Sequence, residues 1–233
     1  MEIKRAPFGI QGLDEMLHGG LVFGRSVLMT GGPGAGKTSF AYHFLFKGAE
    51  QFGEKGLFVS LEQPVERVVE GAKRLFQWDW DSAIAEEKLV FTRIQRDDFN
   101  GLAQLIEGYV EQNEIRRVAI DNTALLRLFY RGEDAFRNHL YELIDSLATL
   151  ECTTLLLSEK SYTKRGEASY GIEEFIADGV INLYLVPKET TRLRVLEITK
   201  MRDTKHSMNL VPFQITPQGI EVSPSAGLFT EVE

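Results

Sequence analysis

Gly31-Gly32-Pro33-Gly34-Ala35-Gly36-Lys37-Thr38 matches G-x-x-x-x-G-K-[ST], the phosphate-binding P-loop, with Ser39 directly after it. The chemistry follows from residue type. Glycines let the backbone curl so that successive N–H groups point inward at the α- and β-phosphates of a nucleotide, and the helix that follows adds its positive N-terminal dipole. The Lys37 ammonium would neutralise β/γ-phosphate charge, and the Thr38 hydroxyl would sit on Mg²⁺. Two carboxylates further along extend this into a reaction centre. Asp121 ends the apolar run Val118-Ala119-Ile120 and would hold Mg²⁺ through water. Glu62 follows the apolar run 56–61, where a carboxylate can orient and deprotonate an attacking water beside the metal. Either acid also reads as a strand end meeting solvent, and Glu62-Gln63-Pro64 also reads as the favoured acid in the first turn of a helix. Ser158 and Glu159, which close a later apolar run, are placed either to sense a γ-phosphate or to be solvated.

These groups need a scaffold that brings strand ends together. A short amphipathic helix is expected over 8–21, a strand over 25–30, and a helix over 37–52 that Gly53 stops. Strand 56–61 then leads through Pro64 into a helix, followed by strand 88–94 and a helix over 100–111 packed through Leu102, Leu105, Ile106 and Tyr109. Strand 117–121, a long helix over 133–150 and strand 153–158 continue the alternation. Apolar strands alternating with amphipathic helices predict an α/β fold with a mainly parallel central sheet flanked by helices. After Gly171 the pattern changes to paired strands, 180–186 with 192–200 and 213–216 with 219–222, so the sheet should finish antiparallel. One domain over 1–222 and a loose tail over 223–233 are expected. In such sheets ligands bind beyond the carboxyl ends of the strands, where Thr38, Asp121 and Glu62 all fall.

Composition narrows the function classes. The 233 residues carry a formal charge of -8, which offers no general electrostatic footprint for nucleic acid. Single Cys152 excludes an intramolecular disulfide framework and any Cys-cluster zinc site, in keeping with a reducing cytoplasm. His18, His43 and His139 lack metal-ligand spacing to a carboxylate or to Cys152 and read as surface or packing residues. No segment approaches the run of about 18 apolar residues that a membrane span requires, and the first residues hold no apolar signal region. Trp78-Asp79-Trp80 reads as an aromatic cap on the core in preference to a ligand cage.

With these pieces in order, the sequence resembles the KaiC family of RecA-like P-loop ATPases from about Phe8 to Pro224. The likeness is carried by G-I-x-G-L-D-E-x-L-x-G-G-L at Gly9 to Leu21, the P-loop, Y-G-I-E-E-F-I-A-D at Tyr170 to Asp178, L-E-I-T-K-M-R at Leu196 to Arg202 and P-F-x-I-T-x-x-G-I at Pro212 to Ile220. The resemblance implies a RecA-like NTPase that binds ATP with Mg²⁺ and forms a ring, usually a hexamer, with nucleotide between neighbouring subunits. It implies that Lys200 and Arg202 reach the γ-phosphate held by the neighbour, with Met201, Thr204, His206 and Thr216 lining the same trans surface. A cation arriving from another subunit would stabilise transition-state charge and couple hydrolysis to assembly. Glu62 falls at the first of two acids that end the family's catalytic strand. The second is Gln63 here, which implies slow hydrolysis. The Ser-Thr pair that clock members of the family phosphorylate falls at Glu174 and Phe175, so autokinase activity is not expected.

Two other function classes share the P-loop. A DNA-strand-exchange or repair protein of the related RadA and RecA branch would use a basic loop such as Tyr162-Thr163-Lys164-Arg165-Gly166; the acidic balance weighs against it. The ring ATPase would use nucleotide state to change how it binds a protein partner, whereas a nucleotide-binding regulatory module with negligible turnover, a binding protein and not an enzyme, is the reading that Gln63 keeps open. The absence of an N-K-x-D guanine motif favours ATP over GTP.

Overall fold

A computed structural model describes residues 3–160, 171–188 and 190–224. Its centre is β3 (Ser26–Gly31), buried at all six positions. A strand enclosed on both faces needs apolar residues in both alternating sets, and β3 supplies Val27 and Met29 to one face and Leu28 to the other. The neighbours divide in the same way. Phe58, Ala119, Leu155 and Leu157 join the first core, while Leu57, Val59, Val118, Ile120 and Leu156 join the second.

The first face is covered by α2 (Lys37–Phe52), α3 (Val65–Leu75) and α4 (Trp80–Ala85). Phe40, Phe44, Val68, Ala72 and Trp80 fill this side. The second face is covered by α5 (Leu102–Asn113), α6 (Ala124–Phe129) and α7 (Glu133–Thr149), through Ile106, Leu126, Leu140 and Leu147. Full burial of each of the larger side chains contributes roughly 1.5–3 kcal/mol, so these two layers carry the fold. The remaining parallel strands are β4 (Gly56–Ser60), β5 (Leu89–Arg93), β6 (Arg117–Asp121) and β7 (Thr153–Glu159).

A short helix α8 (Ile172–Ile176) leads into β8 (Gly179–Lys188), which pairs parallel to β3. From there the sheet is antiparallel: β9 (Thr191–Met201), β10 (Val211–Thr216) and β11 (Gly219–Val222) add in turn, giving the order β11-β10-β9-β8-β3-β7-β6-β4-β5. The expected parallel sheet with antiparallel C-terminal strands is therefore present. No helix among the described residues is long and apolar enough to cross a membrane. The tail 225–233 and the loop Tyr162 to Gly166 lie outside the described residues, as does Tyr170.

The N-terminal stretch differs from the expected single helix. Only α1 (Gln11–Met16) is helical, and β1 (Arg5–Ala6) pairs with β2 (Leu21–Val22). The Asp14 carboxylate explains the late start, since it accepts from the N–H groups of Phe8, Gly9 and Ile10 at 2.7, 2.9 and 3.1 Å. Those donors are thereby held in a turn ahead of the helix. Arg117 fastens this stretch to the P-loop helix. Fully buried, it donates from Nη1 to the carbonyls of Pro7 and Phe44 at 2.7 and 2.9 Å and from Nε to Glu54 at 2.6 Å. Leu105, expected to pack, is 42% exposed, because Leu102, Ile106 and Val110 form the buried stripe of α5. Trp78 stacks with Phe76 and Phe46 at centroid separations of 4.4 and 4.7 Å, and Trp80 is buried, so the pair does cap the core.

Candidate active site

The P-loop connects β3 to α2 at the carboxyl edge of the sheet. Gly36 caps α2 with φ of 109°, and a β-carbon there would approach the Ile215 methyl to 3.1 Å, so the turn into the helix requires glycine. Lys37 is buried and folds back over the loop, its Nζ donating to the carbonyls of Gly31 at 2.8 Å and Gly32 at 3.2 Å. Burial lowers its pKa, while the nearby Glu159 and Asp121 carboxylates push it back up.

Strand register brings the acids to this point. Ser60 at the end of β4 pairs with Asp121 at the end of β6, and Gly31 of β3 pairs with Glu159 of β7. Thr38 Oγ1 donates to Asp121 Oδ2 at 2.7 Å, joining the first turn of α2 to the strand end. Burial raises the pKa of Asp121, as do Glu62 and Glu159; the Thr38 hydrogen bond and Lys37 oppose that rise. The peptide bond between Asp121 and Asn122 is cis. A cleft of about 530 Å³ opens here, walled by Lys37, Thr38, Ser39, Glu62, Gln63, Asp121 and Glu159. Ser158 is buried beneath it, so of the two strand-end residues only Glu159 faces the cleft.

The residues expected on a trans surface divide into two places. Lys200 pairs with Val180 near the start of β8, at the sheet edge opposite the P-loop of its own chain. Its Nζ donates to the carbonyls of Glu174, Phe175 and Ala177 at 2.9, 3.1 and 2.6 Å, at the C-terminus of α8. Burial first, then Arg202, lowers its pKa. Arg202 donates from Nη2 to the Phe175 carbonyl at 2.9 Å and from Nη1 to Asp178 at 3.3 Å. Thr204 accepts from Arg5 at 2.7 Å, and His206 is hydrogen-bonded to the Ser207 carbonyl. Two members depart from the expected single surface. Met201 is buried and packs against Gly179, because its side chain alternates inward on β9. Thr216 stands at the far end of antiparallel β10, beside Ile215 of the cleft, with Oγ1 donating to Gly219 at 3.0 Å.

One charged cleft residue was not anticipated. Arg194 lines the cleft and its Nε donates to the Gly34 carbonyl at 3.3 Å, placed there by the pairing of Arg194 with Leu185 across β8 and β9. Nothing in the local sequence marks an arginine in the middle of a strand for this place.

The donor set suits a magnesium nucleotide. Two side-chain oxygens, Thr38 Oγ1 and Asp121 Oδ2, lie together, which fits an ion that keeps most of its waters and takes one or two protein oxygens. Among the described residues no group of three or more His, Cys, Asp or Glu side chains gathers into a stronger metal cage.

The profile of the family described as "ATPase: KaiC" matches residues 6–227. The chain belongs to the KaiC family of ATPases. Its sheet and P-loop are therefore those of a RecA-like ATP-binding domain. The circadian clock oscillator protein KaiC of Synechococcus elongatus is 34% identical over 225 residues, covering 92% of this chain and 43% of that protein. KaiC of Prochlorococcus marinus strain MIT 9313 is 32% identical over 96% of this chain and 47% of its own length. The chain thus spans about half the length of these clock relatives. A protein of Thermotoga maritima designated UPF0273 is 36% identical, with 97% of this chain and 98% of the relative covered.

Proposed function

We propose that this KaiC-family chain is a slow, Mg²⁺-dependent ATPase that assembles as a ring, a hexamer by family likeness, and uses nucleotide state to regulate a protein partner in the cytoplasm. One observation carries the reading: Lys37, Thr38, Asp121 and Glu62 converge on a single 530 Å³ cleft at the carboxyl edge of the sheet. In it the P-loop N–H groups and Lys37 hold the β- and γ-phosphates, and Thr38 and Asp121 hold Mg²⁺, which would neutralise charge on the phosphate oxygens. Glu62 accepts the proton of the attacking water as its oxygen bonds to the γ-phosphorus and the bond to the β–γ bridging oxygen breaks, leaving ADP and phosphate. Gln63 in place of a second acid leaves one base and slows turnover.

The trans half of the proposal assigns Lys200, Arg202, Thr204 and His206 to the neighbouring subunit's nucleotide. It draws support from the position of Lys200 and Arg202 at the sheet edge away from the P-loop of their own chain. Glu174 and Phe175 offer no hydroxyl for phosphorylation, so the reading includes no autokinase cycle there.

The test pairs size in solution with phosphate release, with and without MgATP. Assembly on MgATP, slow release by the wild type and loss of release with retained binding in Glu62→Gln are expected. Wild-type turnover by Glu62→Gln would remove Glu62 as the base, and no turnover under single-turnover conditions would leave a binding module.

A further inference from the structure

Glu62 makes no hydrogen bond or ion pair among the described residues, so its position depends on the turn that carries it. That turn is fixed on both sides. Before Glu62, the Leu61 N–H donates to the Asp121 carbonyl at 2.7 Å. After it, Ser60 Oγ accepts from the Gln63 N–H at 2.9 Å and donates to the Gln63 carbonyl at 2.7 Å. One buried hydroxyl therefore satisfies both backbone groups of the residue next to an exposed carboxylate. The ring it closes contains Leu61 and Glu62 and restricts their backbone freedom.

A second hollow of about 90 Å³ adjoins the cleft. It shares Thr38, Glu62, Gln63 and Asp121 with the cleft and has Ser60 in its wall. At roughly 30 Å³ per water it has room for a few molecules beside Glu62. Glu62 borders both spaces, so a shift of its turn would move the carboxylate relative to each.

We propose that Ser60 is a positioning residue for Glu62: its two-way hydrogen bond to the Gln63 backbone holds the base at the boundary between cleft and hollow. The inference rests on Glu62 being the base. Ser60 touches neither nucleotide nor metal in this account, so its removal should leave binding alone.

The test uses the full chain with Ser60→Ala, Ser60→Thr, Glu62→Gln and the Ser60→Ala/Glu62→Gln pair. Single-turnover MgATP hydrolysis by Ser60→Ala should fall by about ten- to a hundredfold, the scale expected when a reacting group is displaced by around an ångström. Affinity for mant-ADP should stay within about twofold, since the P-loop is untouched. Ser60→Thr should restore most of the rate. In the Glu62→Gln background Ser60→Ala should cause no further loss. Without nucleotide, the Gln63 amide should exchange faster in Ser60→Ala while Leu155 in the sheet keeps its protection, which separates a loosened turn from a loosened fold. Wild-type hydrolysis by Ser60→Ala beside an inactive Glu62→Gln would overturn the inference and leave the base in place. Unchanged Gln63 exchange, or an equal Ser60→Ala loss with and without Glu62, would also overturn it. Wild-type turnover by Glu62→Gln would refute the base itself, and any role of Ser60 through it.

Discussion

Replacing Lys37 by methionine should separate stability from binding. Lys37 is 8% exposed, and its ammonium donates to two carbonyls, at 2.8 and 3.2 Å. Charge-assisted bonds of this kind contribute about 1.5–3 kcal/mol each. Against them stands the desolvation of a buried ammonium, an effective cost of several kcal/mol, and no carboxylate among the described residues bonds to it directly. The two nearly cancel, so nucleotide-free Lys37→Met should differ from wild type by no more than about 1 kcal/mol, or about 3 °C in melting temperature. Binding should respond very differently. Loss of a buried cation facing phosphate charge costs about 2–5 kcal/mol, a fall in MgATP affinity of roughly thirtyfold to several thousandfold. Thermal melts without ligand and calorimetric titration with MgATP measure the two quantities separately. A variant that bound MgATP within threefold of wild type would refute the assignment of Lys37. Large destabilisation without nucleotide would refute the claimed cancellation.

Two further predictions concern the frame around the P-loop helix. His43 accepts the Ile220 N–H on Nδ1 at 3.1 Å, so its neutral form carries the proton on Nε2, facing the Gly9 carbonyl at 3.2 Å. Burial, aided by Lys47, lowers its pKa to about 4. With the ordinary value near 6.5, the unfolded chain binds the proton first, so stability is whole above that pH and declines as pH falls toward 4, by about 3 kcal/mol in all. Urea unfolding between pH 7.5 and 4.5 should show this slope, and His43→Gln should lack it; equal slopes would contradict the assignment. Arg117→Met should destabilise the chain by about 3 kcal/mol, because Glu54 and the carbonyls of Pro7 and Phe44 lose their shared donor. Chemical denaturation checks it, and a change below 1 kcal/mol would show that the apolar stem carries the packing.

How far the site was legible depends on what kind of information placed each residue. Lys37, Thr38 and Asp121 announce themselves locally, through a motif and through an apolar run ending in an acid, and both the P-loop helix Lys37–Phe52 and strand Arg117–Asp121 fall on the expected bounds. Repeating strand and helix periods made the α/β sheet legible in the same way. Features set by contacts distant in sequence were not. Arg194 reaches the cleft only because the β8–β9 register sets it beside Gly34, 160 residues away. Thr216 and Lys200 were expected on one surface but lie at opposite sheet edges, since alternate antiparallel strands run in opposite directions. The first helix was overextended for a local reason: Asp14 caps the N–H groups of Phe8, Gly9 and Ile10, which outweighs the apolar spacing around Leu13, Met16 and Leu17. The six-residue helix α6 and the five-residue helix α8 are too short to show a helical period.

The central claim is that the P-loop of one chain and the Lys200–Arg202 edge of the next make one ATPase site. The most direct measurement is phosphate release from a mixture of Lys37→Ala and Arg202→Ala subunits, each inactive alone and each shown to assemble. Partial recovery is expected in the mixture, because some interfaces then pair an intact P-loop with an intact arginine. No recovery from a mixture that demonstrably co-assembles would contradict it.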